Sequence, residues 1–129
     1  MSNPPPATPP EAHFSRDGDW LIVLLHGDAD LAWMKSLIPL VVAEHDRAPA
    51  VAVLMDARGL RSRMGDLDRY ELGVSVAQPR LLPPIAFVAM EEFVDPRRLG
   101  ELAARNRGAN MRVFTDIAAA REWLTAATA

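Results

Sequence analysis

The chain has 129 residues, 50 % of them apolar and 24 % charged, with a net charge of −3 and no cysteine. That balance fits one globular domain with a core of its own rather than a disordered segment. It excludes disulfides, thiolate metal sites and cysteine nucleophiles, and it disfavours a general nucleic-acid binder.

Residues 1–11 (MSNPPPATPPE) hold five prolines and little to bury, so they read as an extended, poorly ordered tail ahead of a single domain over 12–127. A polyproline ligand is the other reading of that tail. The tail has neither a basic start nor an apolar centre and does not look like a secretory signal. The longest apolar stretch, 31–43, is interrupted by Lys35, Ser36 and Pro39, so no transmembrane segment is expected and the protein is read as cytoplasmic.

From His13 onward, strand and helix patterns alternate. Arg16-Asp17-Gly18-Asp19 is a turn signal between a short strand near 12–15 and the run WLIVLL at 20–25, which predicts a hairpin. WLIVLL, VAVLM (51–55) and IAFVAM (85–90) are apolar without alternation, the pattern of strands covered on both faces. Residues 111–114 read as a strand nearer an edge. Asp30 caps a first helix running to about His45, with a kink or break expected at Pro39. Asp66 is expected to cap a second helix that turns Leu67, Tyr70, Val74 and Ala77 inward. Asp95-Pro96 signals the start of a third helix, with Leu99, Leu102 and Ala103 inward, Glu101 and Arg105 paired outside, and an end at Gly108. Thr115 caps the last helix, whose inner face is Ile117, Ala120, Trp123 and Leu124. The sum, β-β-α-β-α-β-α-β-α, predicts an α/β fold: a five-stranded, mostly parallel sheet with helices on both faces and an antiparallel first strand.

The Trp-Leu-Ile-Val strand ending in His-Gly-Asp, then VAVLMDARGL, PPIAFVAM, and MRVFTD followed by AREWL, together resemble the SpoIIAA-like family, which is grouped with STAS domains and, in shape, with CRAL-TRIO lipid carriers. The resemblance covers about residues 13–126, and its most specific part is Val113-Phe114 followed by Ala120-x-x-Trp123-Leu124. It implies a five-stranded, four-helix domain that acts by protein contact or by binding apolar ligands. Anti-sigma antagonists of this kind carry an Asp-Ser-Ser-Gly-like phosphoacceptor after the second long strand. The matching stretch here is Ser62-Arg63-Met64-Gly65-Asp66, whose one hydroxyl lies between arginines, so the phosphoswitch does not carry over.

In a parallel α/β sheet, ligands bind beyond the carboxyl ends of the strands. Those ends carry His26, Asp28, Asp30, Asp56, Arg58, Glu91, Glu92, Thr115 and Asp116. Capping accounts for Asp30, Asp66, Asp95 and Thr115. Asp56 has no helix directly behind it and is left to pair with Arg58 or Arg61, structurally or around a ligand. Arg58, Arg61, Arg63 and Arg69 concentrate positive charge in what reads as a glycine-flanked loop, suited to an anionic ligand or headgroup, or else a solvated loop balanced by Asp56, Asp66 and Asp68. A receiver-like acidic rim fails because no Ser or Thr ends the IAFVAM strand and no lysine follows the last one. His13, His26 and His45 are scattered, so no metal is expected, and no P-loop, GxGxxG, GxSxG or cofactor motif occurs. An acid/base pair of Asp56 with His26 is the remaining catalytic combination; the reading is that the protein is not an enzyme.

The first helix is apolar over much of its circumference: Leu31, Met34, Ile38, Val41 and Val42 form a stripe that Trp33, Leu37 and Leu40 widen. Three accounts fit: a thick core, a homodimer through this helix, or a wall of an apolar pocket shared with Leu60, Met64, Tyr70 and Phe93. The sequence therefore predicts an interaction or regulatory module, with a small apolar or anionic-lipid binder as the alternative. The ligand-facing residues it offers are Trp33, Asp56, Arg58, Arg61, Met64 and Tyr70.

Overall fold

The computed structural model describes residues 8–62, 64–79 and 82–129. Its elements are β1 (Glu11–Asp17), β2 (Trp20–Ala29), α1 (Leu31–Arg47), β3 (Ala52–Ser62), α2 (Asp66–Val76), β4 (Ile85–Ala89), a 3-10 turn (Glu91–Phe93), α3 (Leu99–Arg105), β5 (Met111–Phe114) and α4 (Ile117–Ala127). They form one five-stranded sheet in the order β1-β2-β3-β4-β5, in which β1 is antiparallel to β2 and every other pair is parallel. Gly18, at φ +58°, supplies the positive dihedral that a two-residue hairpin loop needs between Asp17 and Trp20.

Strand order decides the layering. Each parallel connection moves one position in the same direction, and right-handed crossovers then place all their helices on one side of the sheet. Accordingly Met34, Leu37 and Val41 of α1 and Leu72 and Val76 of α2 pack with Leu21, Val23, Leu25, Val53 and Ile85 in the larger core. The chain leaves β5 for the opposite face, where Ala120 and Leu124 of α4 meet Ala52, Leu54, Ala86 and Val88 in a smaller one. Successive residues of one strand, Val53 and Leu54, thus belong to different cores.

Several local expectations are corrected. α1 continues through Pro39 without a break, because the buried stripe on both sides of the proline pins the helix to the sheet and Pro39 itself is exposed. Gly65, not Asp66, holds the cap position of α2, and Asp66 instead pairs with Arg97 across the helix ends. The inner side of α2 is Leu72, Gly73 and Val76, while Leu67 is 77 % exposed and Tyr70 is also exposed. Here the nearest neighbour is a helix backbone, which selects glycine rather than a large side chain: a Cβ on Gly73 would overlap the Gly100 carbonyl. α3 starts at Leu99, after Arg98 in a left-handed conformation, and Asp95 accepts hydrogen bonds from the Arg97 and Leu99 amides. Leu102 is exposed and Glu101 is buried, the reverse of the expected pattern. Asp116, not Thr115, caps α4 by accepting from the Ala118 amide. Finally, β3 runs on to Ser62, so Arg58 and Arg61 sit on a strand rather than in a loop.

Of the segment expected as a tail, residues 1–7 lie outside the described residues and Glu11 already opens β1. Thr8 exchanges hydrogen bonds with Asp28 through its amide (2.7 Å) and its carbonyl (2.9 Å). Gly27, at φ +102°, has no Cβ to obstruct Pro9 and Pro10 as they cross it.

Candidate functional site

Between the α1–α2–α3 layer and the sheet lies a partly open apolar cavity of about 140 Å³. Met34 and Leu37 come to it from α1, Met55 and Leu60 from β3, Leu72 and Val76 from α2, Phe87 from β4 and Met111 from β5, with Met64 and Phe93 at the connections. Thioether and aromatic linings adapt readily to irregular apolar guests. Arg69 braces two of the segments around it, donating from Nε to the Met64 carbonyl (3.1 Å) and from Nη1 to the Phe93 carbonyl (3.2 Å). At the β5 end, Glu101 accepts from the Val113 amide (3.1 Å) and from Arg98 Nη1 (3.2 Å), while Arg98 also donates to the Val113 carbonyl (2.6 Å). Glu101 and Arg98 escaped sequence reasoning, since a glutamate four residues before an arginine on a short helix has the spacing of a surface pair.

The residues singled out by sequence divide between separate places. Met64, Leu60 and Phe93 line the cavity; Tyr70 does not, because it lies on the outer side of α2, where its hydroxyl accepts from Arg107 Nη2 (2.6 Å) and its ring lies under that guanidinium. Trp33 packs against the edge of the larger core and, with Pro10, Asp28, Arg61, Met64 and Asp68, borders a shallow depression beyond the ends of β2 and β3. Asp56 faces the α4 side in mid-strand and takes Arg58, not Arg61: Arg58 Nε and Nη2 reach its two oxygens at 2.9 and 2.8 Å and the Arg58 amide adds a third bond at 3.2 Å. These hydrogen bonds hold the Asp56 carboxyl below its ordinary pKa against the opposing effect of partial burial. The arginines therefore do not converge: Arg58 is committed to Asp56, Arg69 to carbonyls, Arg61 stands exposed opposite Asp28, and Arg63 lies outside the described residues. His26 does not meet Asp56 but turns to His13 and Glu11 across the hairpin.

Comparison with solved structures reports on this architecture. An anti-sigma factor antagonist from Mycobacterium paratuberculosis superposes with a TM-score of 0.62 at 14 % identity, covering 91 % of this chain and 95 % of the other. A DUF3478 family protein from Shewanella loihica, described as having a SpoIIAA-like fold, gives 0.52 at 18 % identity over 96 % and 98 %. The fold is SpoIIAA-like. No protein-family model and no curated protein matched the sequence. Within the SpoIIAA-like domain, Ser62 ends β3 with its residue on the cavity wall, and the cap position of α2 falls to Gly65, which has no hydroxyl. Among the described residues, no helix is long and apolar enough to cross a membrane.

Proposed function

We propose that this SpoIIAA-like domain is a non-enzymatic interaction or regulatory module that works by contact with a protein partner and lacks the phosphoacceptor of the anti-sigma antagonists. The observation that carries the reading is the outer side of the α2–α3 pair. Its inner side is locked by backbone contact at Gly73 and Gly100, yet Leu67, Tyr70 and Leu102 stay exposed on the outside. Apolar and aromatic groups on a rigid pair of helices are the anchors that protein interfaces use. The likeness to an anti-sigma factor antagonist supports the same class. Catalysis has poor support, since Asp56 is spent on Arg58 and His26 faces away from it. Gly65 at the α2 cap supports the loss of phosphoswitching.

Affinity capture on the immobilised full chain tests this reading against Leu67→Glu/Leu102→Glu. A partner held by the wild type should be lost by the variant while both melt at about the same temperature; identical capture by the two proteins would overturn it. A second copy docking through α1 is a narrower form of the proposal, resting on Leu40, which that helix leaves half exposed. Light scattering would then show a dimer that Leu40→Glu dissociates, and a monomeric wild type at high concentration removes this form.

The cavity supports a second reading, binding of a small apolar ligand, and its volume sets the limit. About 140 Å³ compares with the roughly 150 Å³ cavity that accommodates benzene and falls short of the roughly 300–1,000 Å³ of drug-sized pockets. A ring or a few methylenes fit; a whole lipid does not unless the helices part. Native mass spectrometry of the gently purified protein should then show a small added mass, and an unliganded spectrum with no melting shift in short-chain fatty acids rejects ligand binding.

A further inference from the structure

The end of the β1–β2 hairpin farthest from its turn brings together three side chains that the sequence separates. Hairpin register sets Glu11 directly opposite His26 and His13 opposite Leu24. Alternation along β1 then puts Glu11 and His13 on the same face of the sheet as His26. Their terminal atoms form a nearly equilateral triangle: His13 Nε2 to His26 Nε2 is 3.1 Å, His13 Nε2 to Glu11 Oε2 is 3.2 Å, and His26 Nε2 to Glu11 Oε2 is 3.3 Å. The two ring planes lie 15° from parallel with centroids 5.2 Å apart, and both Nε2 atoms come within 3.3 Å of the same Glu11 carboxylate oxygen.

The size of the triangle identifies what would fill it. Ligand atoms about 2.0–2.1 Å from a tetrahedral ion are about 3.3 Å from one another, which is the face edge of a zinc site. The three observed separations match that edge within about 0.2 Å. The donor set agrees: two imidazoles and one carboxylate suit zinc and its divalent first-row neighbours, whereas magnesium and calcium favour oxygen ligands throughout. The local fold leaves room for this. On β3 the residue opposite His26 is Gly59, where a Cβ would come within 3.0 Å of the His26 Cβ. α4 packs on β3, β4 and β5, and all three side chains remain 42–59 % exposed, so an ion can enter from solvent and keep water as a fourth ligand.

We propose that Glu11, His13 and His26 form a binding site for a divalent transition-metal ion of the zinc class, with three protein ligands and one position open to water. Bound there, the ion ties the edge strand β1 to β2 at the point where the chain enters the sheet.

The test uses the full chain stripped of metal with chelator and titrated calorimetrically with zinc, with magnesium in a parallel arm. One equivalent of zinc should bind the wild type and magnesium should not. His13→Gln/His26→Gln should weaken zinc at least about 100-fold, the upper range found for removing mere outer-shell partners of metal ligands. His45→Gln should change nothing, because His45 Nδ1 already accepts the Ala50 amide at 3.0 Å. The same titration followed by NMR should move the His13 and His26 ring signals and leave His45 still, a readout independent of whether the variants fold. Zinc affinity unchanged in the double variant, or ring signals of His13 and His26 unmoved by zinc, overturns the site.

Discussion

Gly73→Ala separates two physical effects of opposite sign. In the interior of a solvated helix the change stabilises by about 0.5–1 kcal/mol, because glycine loses more backbone freedom on folding. At Gly73 the new Cβ would overlap the Gly100 carbonyl oxygen, lie 2.9 Å from that carbonyl's carbon and 3.0 Å from the Ala103 Cβ. Two of these neighbours are backbone, so relief requires α2 and α3 to move apart by roughly the missing contact distance. Overpacking of this kind costs about 1–3 kcal/mol or more, and after the propensity gain a net loss of about 1–2 kcal/mol remains. With a urea slope in the usual range of about 1–3 kcal/mol/M, the midpoint should fall by about 0.3–2 M with no change in slope. Gly100→Ala meets the Arg69 carbonyl oxygen at 2.8 Å and should act in the same direction, less than additively in the double variant, since one separation relieves both clashes. Equilibrium urea unfolding followed by tryptophan fluorescence measures this. A Gly73→Ala protein as stable as the wild type, or more so, would refute the backbone-to-backbone packing of the two helices.

Asp56→Asn should destabilise by about 1–3 kcal/mol near neutral pH, the range for a charged hydrogen bond partly shielded from water. The folded carboxyl titrates below its ordinary value, so its contribution is complete above the unfolded pKa of about 3.9 and is lost as pH falls through the lowered folded pKa. The difference between wild type and variant should therefore stay level from pH 7 to about pH 5 and shrink only in stronger acid; a difference that disappears by pH 6 contradicts the Arg58 fork. Glu101→Gln should cost about 1–3 kcal/mol and speed hydrogen exchange at the Val113 amide, which Glu101 accepts; unchanged exchange there would show that the buried carboxylate does not hold β5 to α3.

How far the sequence discloses the molecule depends on what each residue meets. The cores of β3 and β4 were readable because strands covered on both faces are apolar throughout, whereas β2, read the same way, has a second face that α4 does not fully cover and that leaves Leu24 exposed. The end of β3 was not, because Arg58 falls at the irregularity between Asp56 and Gly59, Arg61 pairs in register with Asp28, and the stretch carries the composition of a loop. The orientation of α2 was misread for the opposite reason. Its closest contact is made by Gly73, which has no hydrophobic signal, while Leu67 has a strong one and points outward. Of the candidate site, Leu60, Met64 and Phe93 were offered together with Tyr70 as one of three accounts of the apolar first helix, and all but Tyr70 line the cavity; Glu101 and Arg98 at its end were not foreseen, since burial of a charged group becomes visible only once its partners are assembled. The meeting of His13 with His26 was open to inference: taking Asp17 opposite Trp20 and counting back six residues on each strand puts Glu11 against His26.

The single sheet acts as a septum between two interiors that share no side chains. Substitutions at Leu54, Val88 or Leu124 can reshape the α4 side while Met55, Ile85 and Phe87 keep the cavity wall as it is. Selection can therefore adjust the packing of one face and the lining of the cavity on the other, residue by residue along the same strand, with little interference between the two.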